Sequence, residues 1–226
     1  MRSLFGHPIE LLCIDLDDTL LDTEAGAPAR FAAAAAILRT VRPDLLPTAI
    51  EAAVQQGLRT HPTEGRMANF LAELDVTSEA EIAAVRAAYF DRMAERLELF
   101  DGVEEVLADL RRDFRVALIT NGPSDQQREK LARFDLESQV DWVVISEEVG
   151  YEKPDRRIFE HTMSLAGVDP AHTAHVGDSL VTDVAGANDA GLHAIWLRSS
   201  LASARPDEVR LTPAATITHV RELLLR

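Results

Sequence analysis

Short apolar runs that end in a polar or charged residue recur along the chain. Leu11–Asp15 (LLCID) is the first. Arg115–Thr120 (RVALIT), Asp141–Ser146 (DWVVIS), Thr173–Asp178 (TAHVGD) and His193–Arg198 (HAIWLR) follow. Runs that stay apolar at consecutive positions, rather than alternating, predict strands covered on both faces of a sheet. Between them the period lengthens. Ser124–Phe134 reads as a helix opened by a Ser124-x-x-Gln127 capping box, and Arg156–Ala166 places Ile158, Phe159, Thr162 and Leu165 on one helical face. Strands alternating with helices predict an α/β fold: a Rossmann-like parallel sheet, right-handed crossovers, and helices on both faces. Ligands of such sheets bind outside the carboxyl ends of the strands. Asp15, Thr120, Ser146 and Asp178, each the last residue of its run, are therefore expected along one edge.

Residues 23–99 follow a different pattern, with alanine-rich helical periodicity, no strand-like run, and breaks at Pro43, Pro47, Pro62 and Gly65. They predict an inserted helical domain, so that residues 1–22 and 100–226 form the sheet domain. The last helix of the insertion carries a Ser78-x-x-Glu81 box and a stripe of Ile82, Val85, Tyr89, Met93 and Leu97, which reads as the insertion's own core. Phe100–Gly102 reads as the returning hinge, where glycine tolerates unusual backbone angles. The Phe31–Ala36 tract is helix-forming and says nothing of chemistry. Ser199–Thr216 reads as a surface loop before a last strand or turn and a C-terminal helix ending near Leu225.

Composition narrows the partners. The 226 residues are 46% hydrophobic and 27% charged, as an ordinary folded protein requires. A formal net charge of −15 without a Lys/Arg run argues against nucleic acid as a partner. The single cysteine, Cys13, allows no internal disulfide and no zinc–thiolate set, and its place in a strand predicts a small buried apolar residue. His7, Pro8 and Glu10 interrupt any signal-peptide core, and no stretch approaches the roughly 20 apolar residues of a membrane span. A cytoplasmic protein without a membrane partner is expected. Oligomeric state is not legible.

Asp15, Asp17, Asp18 and Asp22 crowd the end of the first run. Carboxylates this close resist joint ionisation unless a positive group, such as a metal ion, sits among them. Three further pieces fall at the same edge: Thr120-Asn121-Gly122, Lys153-Pro154, and Gly177-Asp178-Ser179 with Asp183 beyond. In order and over nearly the whole chain, the four resemble the motifs of the haloacid dehalogenase superfamily. The stretches TNGPSDQQREKL and VISEEVGYEKPDRRIFE resemble its phosphatase branch containing pyrimidine nucleotidases and N-acylneuraminate-9-phosphatases.

The resemblance implies a nucleophile at Asp15, and a carboxylate can indeed attack phosphorus to form an acyl phosphate. It assigns Asp17 as general acid and base, consistent with its place two residues beyond. It implies Mg2+ bound by the side chains of Asp15 and Asp178 and the carbonyl of Asp17, with Asp183 holding a ligating water or orienting Asp178. Thr120, Asn121, Gly122 and Lys153 would bind the phosphate. Asp17 argues against dehalogenation, since a departing halide needs no proton. The expected activity is Mg2+-dependent hydrolysis of a small phosphorylated metabolite through an aspartyl-phosphate, with a nucleoside monophosphate or a sugar phosphate favoured. Phosphotransfer of the phosphoglucomutase type and a non-enzymatic binding module are the alternatives.

The insertion resembles the family's small helical cap. Its turn with Arg59, His61 and Arg66 is equally consistent with substrate contact and with an exposed interhelical loop. Asp18 and Thr19 read as supports of the turn after the strand, and His175 as a strand side chain rather than a ligand.

Overall fold

A computed structural model describes residues 2–60, 66–90, 97–198 and 212–225. The chain divides into two compact units, Met1–Asp22 with Leu99–Arg226, and Thr23–Glu98.

The first unit begins with a tight hairpin, β1 (Arg2–Leu4) and β2 (His7–Ile9), and then enters the sheet at β3 (Leu11–Ile14). β4 (Leu21–Asp22) leads out to the second unit and β5 (Glu98–Leu99) leads back. Gly102, at φ 77°, then opens helix α5 (Val103–Leu110) in a left-handed conformation that a side chain would strain. The helices of the second unit come between and are numbered α1 to α4 below. The rest alternates: β6 (Arg115–Thr120), α6 (Ser124–Arg133), β7 (Trp142–Ile145), α7 (Ser146–Val149), α8 (Arg156–Ala166), β8 (Thr173–Gly177), α9 (Ala185–Asp189), β9 (His193–Leu197) and β10 (Ala215–Ile217).

Six strands form one parallel sheet in the order β10-β9-β8-β3-β6-β7. β3 lies at its centre, with Leu11 opposite both Arg115 of β6 and Thr173 of β8. All of β3 is buried. Leu11 and Cys13 pack on one face in a cluster with Ala117, Ile119, Ile158 and Phe159, and alternation turns Leu12 and Ile14 to the other. Cys13 is the buried apolar residue expected, and burial pushes its thiol pKa up. This is the Rossmann-like α/β core that the apolar runs predict.

Three local expectations are corrected. Helix α6 is preceded by Pro123, so Ser124 is its first helical residue and no capping box forms; the Gln127 side chain is drawn into the sheet edge instead. On α8 the buried face is closed by Met163 and Ala166, and Leu165 is 47% exposed because it lies past Ile158, at the edge of the buried arc that runs from Ile158 to Met163. The chain ends in a 3₁₀ turn, Val220–Leu224, rather than an α-helix; the Glu222 carboxylate accepts from the amides of Thr218 and His219 at its start.

The second unit contains α1 (Ala27–Val41), α2 (Pro47–Gly57), α3 (Arg66–Glu73) and α4 (Glu79–Phe90). Its core holds Phe31, Ala34, Ala35, Leu38, Ile50, Phe70, Val85 and Tyr89. Phe31 meets both Phe70 and Tyr89 edge to face, with centroids 5.2 Å apart in each pair. Arg66 is not on an exposed turn. It is 3% exposed and grips both carboxylate oxygens of Glu24 at 2.6 Å, while its Nε donates to the Thr60 carbonyl. Arg59 is exposed. His61, Pro62, Gly65, Met93 and residues 199–211 of the expected surface loop lie outside the described residues.

Candidate active site

Asp15 follows β3 directly, and its backbone is fixed by an N–H donated to the Val176 carbonyl at 2.9 Å. The chain then folds into a compact loop. The amides of Leu20 and Leu21 both donate to the Leu16 carbonyl, and Asp18 adopts φ 58° with its N–H on the Leu21 carbonyl. The loop brings Thr19 back beneath the strand tip, where its hydroxyl donates to Asp15 Oδ2 at 3.0 Å. Thr19 thus holds the Asp15 carboxylate.

Lys153 supplies the cation. It is 3% exposed, with Nζ 2.5 Å from Asp15 Oδ1 and 2.6 Å from Asp183 Oδ1. Asn121 fixes its backbone: the amide side chain accepts from Lys153 N–H at 2.8 Å and donates to the Lys153 carbonyl at 2.9 Å. The Lys153–Pro154 peptide bond is cis. The neighbouring Gly122 amide donates to Ser146 Oγ at 3.0 Å.

Asp178 and Asp183 come from the end of β8. The Asp178 carbonyl accepts from the Trp196 indole at 2.9 Å. One π-helical turn, Leu180–Val184, then carries Asp183 back over Gly177. A Cβ on Gly177 would stand 2.2 Å from Asp183 Cγ, so only glycine leaves room for this carboxylate. Asp183 Oδ2 accepts from the Ser179 amide at 3.1 Å, and Oδ1 faces His175 Nε2 at 2.9 Å.

The electrostatics follow from three buried carboxylates and one buried lysine that pairs with two of them, Asp15 and Asp183. Burial pushes Asp15 well above the ordinary carboxylate range, Lys153 opposes this, and the charges of Asp183 and Asp178 add to it. Burial acts the same way on Asp183, yet Lys153 and His175 outweigh it and hold that carboxyl low. Burial lowers His175, keeping it neutral, and Lys153 stays charged because Asp15 and Asp183 outweigh its desolvation.

The donor set fits a hard divalent cation. Asp15, Asp178 and Asp183 each offer a carboxylate oxygen, all within 4.8 Å of one another, and all three residues are buried. Oxygen-only ligation of this kind suits Mg2+ rather than a thiophilic metal.

Asp17 stands apart from that cluster. Its carboxylate is held by Lys130 Nζ at 2.8 and 2.7 Å and by Gln127 Nε2 at 3.1 Å. The Gln127 amide also donates to Thr120 Oγ1 and to the Asn121 carbonyl. Because Thr120 Oγ1 accepts there, its own proton is directed elsewhere. Of the residues predicted from sequence, Asp15, Lys153, Asp178 and Asp183 are thus brought together, while Thr120 and Asp17 are linked through Gln127. Thr19, Gln127 and His175, which the sequence reads as a turn support, half of a capping box and a strand side chain, and Lys130, which it does not single out, also contact these residues. A Gln and a Lys three apart on one helix face, just after a strand-end threonine, is the signal that could have found two of them.

A six-stranded parallel sheet whose carboxyl edge carries three buried aspartates and a buried lysine is a Rossmann-like core with a cluster that could hold a metal ion. The chain belongs to the haloacid dehalogenase-like hydrolases, whose family model matches residues 9–191. It is 39% identical over 146 residues to phosphoserine phosphatase of Thermus thermophilus, covering 64% of this chain and 57% of that protein. It is 32% identical to the pyrimidine 5′-nucleotidase YjjG of Escherichia coli, covering 70% and 68%. To glyceraldehyde 3-phosphate phosphatase of Pyrococcus abyssi it is 30% identical, covering 84% and 82%. The chain spans about half of several curated relatives it matches, from 47% to 59%. Among solved structures, the HAD-hydrolase YfnB of Bacillus subtilis bound to magnesium matches with a TM-score of 0.71 at 25% identity, covering 96% of this chain and 97% of that one. Among the described residues, no helix is long and apolar enough to cross a membrane.

Proposed function

We propose that the protein is a Mg2+-dependent phosphomonoester hydrolase acting on a small phosphorylated metabolite. The observation that carries this reading is the two-sided grip on Asp15, with Thr19 on Oδ2 and Lys153 on Oδ1. A carboxylate so fixed at a strand tip is preorganised for attack. In this reading Asp15 bonds to phosphorus as the ester P–O bond breaks, and Asp17 gives its proton to the departing oxygen. Water then attacks phosphorus, the Asp15–phosphorus bond breaks, and Asp17 recovers a proton from the water. Thr120, Lys153 and the amides of the Asn121–Gly122 turn are the donors for the phosphoryl oxygens. Mg2+, held by the Asp15 and Asp178 side chains and the Asp17 carbonyl with Asp183 beside them, would neutralise phosphate charge as a Lewis acid. Relatives named for phosphoserine, glyceraldehyde 3-phosphate and pyrimidine nucleotides support a small substrate; a nucleoside monophosphate or a sugar phosphate is the class proposed.

The test is phosphate release from p-nitrophenyl phosphate and from a panel of those esters, with Mg2+ and with chelator, for wild type and Asp15→Asn. Metal-dependent release that falls by about 1,000-fold or more in the variant is expected. Release that survives in Asp15→Asn overturns the assigned nucleophile, and phosphate that moves between positions without net release would mark a phosphotransferase.

A further inference from the structure

We propose that Lys130 is a positioning residue for Asp17: with Gln127 it fixes the direction in which the Asp17 carboxylate faces the leaving-group oxygen. The proposal rests on the phosphatase reading above. Asp17 sits on a loop after β3, where its side chain would otherwise rotate, and proton transfer needs heavy atoms within about 2.6–3.2 Å. Lys130, 113 residues away in sequence, removes that freedom by contacting both carboxylate oxygens, at 2.8 and 2.7 Å. Gln127, one helical turn earlier, adds a donor to Oδ2 at 3.1 Å. Oδ1, which accepts from Lys130 alone, keeps a second lone pair outside these contacts, whereas Oδ2 accepts from both Lys130 and Gln127.

Lysine stems commonly run to solvent. This one does not, for Lys130 is 6% exposed in the middle of α6. The opposite side of α6 is braced by exposed charges. Arg128 pairs with Glu148 at 2.9 and 2.7 Å and with Glu137 at 2.5 Å, and the Ser124 amide donates to Glu147 at 2.7 Å. The helix is therefore anchored to α7 on one side while it presents Gln127 and Lys130 to the Thr120–Asp17 edge on the other. Gln127 joins the two, since one amide nitrogen reaches both Asp17 and Thr120.

The discriminating experiment uses the leaving group. p-Nitrophenolate departs without a proton, whereas an alkoxide needs one from Asp17. kcat and KM are measured with Mg2+ on p-nitrophenyl phosphate and on the alkyl phosphate that wild type turns over fastest. The variants are Lys130→Met, Lys130→Arg, Gln127→Leu, Asp17→Asn and the Lys130→Met/Asp17→Asn pair, each with its thermal midpoint. Lys130→Met is expected to lose about tenfold more kcat on the alkyl than on the aryl ester, with KM within about twofold. Lys130→Arg should restore part of the difference. In the Asp17→Asn background Lys130→Met should add nothing, because the group it positions is gone. Equal losses on the two esters, or losses that multiply in the double variant, overturn the proposal. Lys130→Gln gives the same readout if Lys130→Met fails to fold, whereas Gln127→Leu, which also releases Thr120 and the Asn121 carbonyl, is expected to lose activity on both esters. A wild type that releases phosphate from no ester would instead overturn the phosphatase reading, and the proposal with it.

Discussion

The Lys153 ammonium lies 2.5 Å from Asp15 Oδ1, across 138 residues of sequence and with both side chains buried. A second contact, at 2.6 Å, ties the same ammonium to Asp183. Lys153→Met leaves two buried carboxylates without their cation, and breaking such a pair costs about 3 kcal/mol or more. The variant is expected to unfold at a lower temperature in chelator and to lose phosphate release by about 100-fold or more. Lys153→Arg should rescue little, since a planar fork does not fit the place of a compact ammonium. Phosphate release together with calorimetry decides it; unchanged stability in chelator would contradict the burial argument.

The Asp183 carboxylate depends on the absence of a side chain at Gly177. Asp183 cannot simply swing away from an added methyl, because the Ser179 amide, His175 and Lys153 all hold it. Gly177→Ala is expected to destabilise the protein by about 1–3 kcal/mol through overpacking. It should also weaken Mg2+ binding by about tenfold, as loss of ligand orientation does. Isothermal titration with Mg2+ reads the second effect directly, and wild-type affinity in the variant would separate Asp183 from the metal site.

The ends of the sheet strands mark where the sequence is legible. A run buried on both faces and ending in Asp or Thr delivers that residue to the sheet edge, and the ends of β3, β6 and β8 carry Asp15, Thr120 and Asp178 there. Lys153 and Asp183 fall beside them because the turns from β7 and β8 begin at that edge. The clamp on Asp17 was not legible. A helix start displaced by Pro123 converts Ser124 from cap to first-turn residue and frees Gln127 to reach inward, and pattern alone does not register a one-residue shift. His175 was hidden for the opposite reason. Alternation along β8 gives its face but not the π-helical turn that returns Asp183 to it.

In the helical unit, Arg66 was legible only as a charge in a polar turn, and its burial changes the expectation. Its two bonds to Glu24 and one to the Thr60 carbonyl join the start of the unit to the chain between α2 and α3. Arg66→Ala should therefore lower stability by about 2 kcal/mol, less than for a fully buried pair because Glu24 is 23% exposed. Glu24→Gln should cost less, and the two effects should be non-additive in a double-mutant cycle. Denaturant unfolding of the four proteins tests this; strict additivity would show that the pair is not coupled.

Asp155 gives the fold a pH signature outside the site. It is the N-cap of α8, where its carboxylate accepts from the Arg157 amide at 3.0 Å and from the Arg157 guanidinium. The Arg157 side chain, then its amide, hold the Asp155 pKa down at about 2, below an ordinary value of 3.8. A depressed folded-state pKa means that the carboxylate contributes stability above the unfolded value, and that this contribution is lost as pH falls through the folded one. Solvent exposure screens the ion pair, so the capping bond carries most of the effect. The stability difference between wild type and Asp155→Asn should be constant above about pH 5, shrink below about pH 4, and level off near pH 1. Urea unfolding of both proteins at each pH measures it. A difference that stays flat from pH 6 to pH 2 would mean that Asn caps as well as the carboxylate and that the ion pair with Arg157 adds nothing.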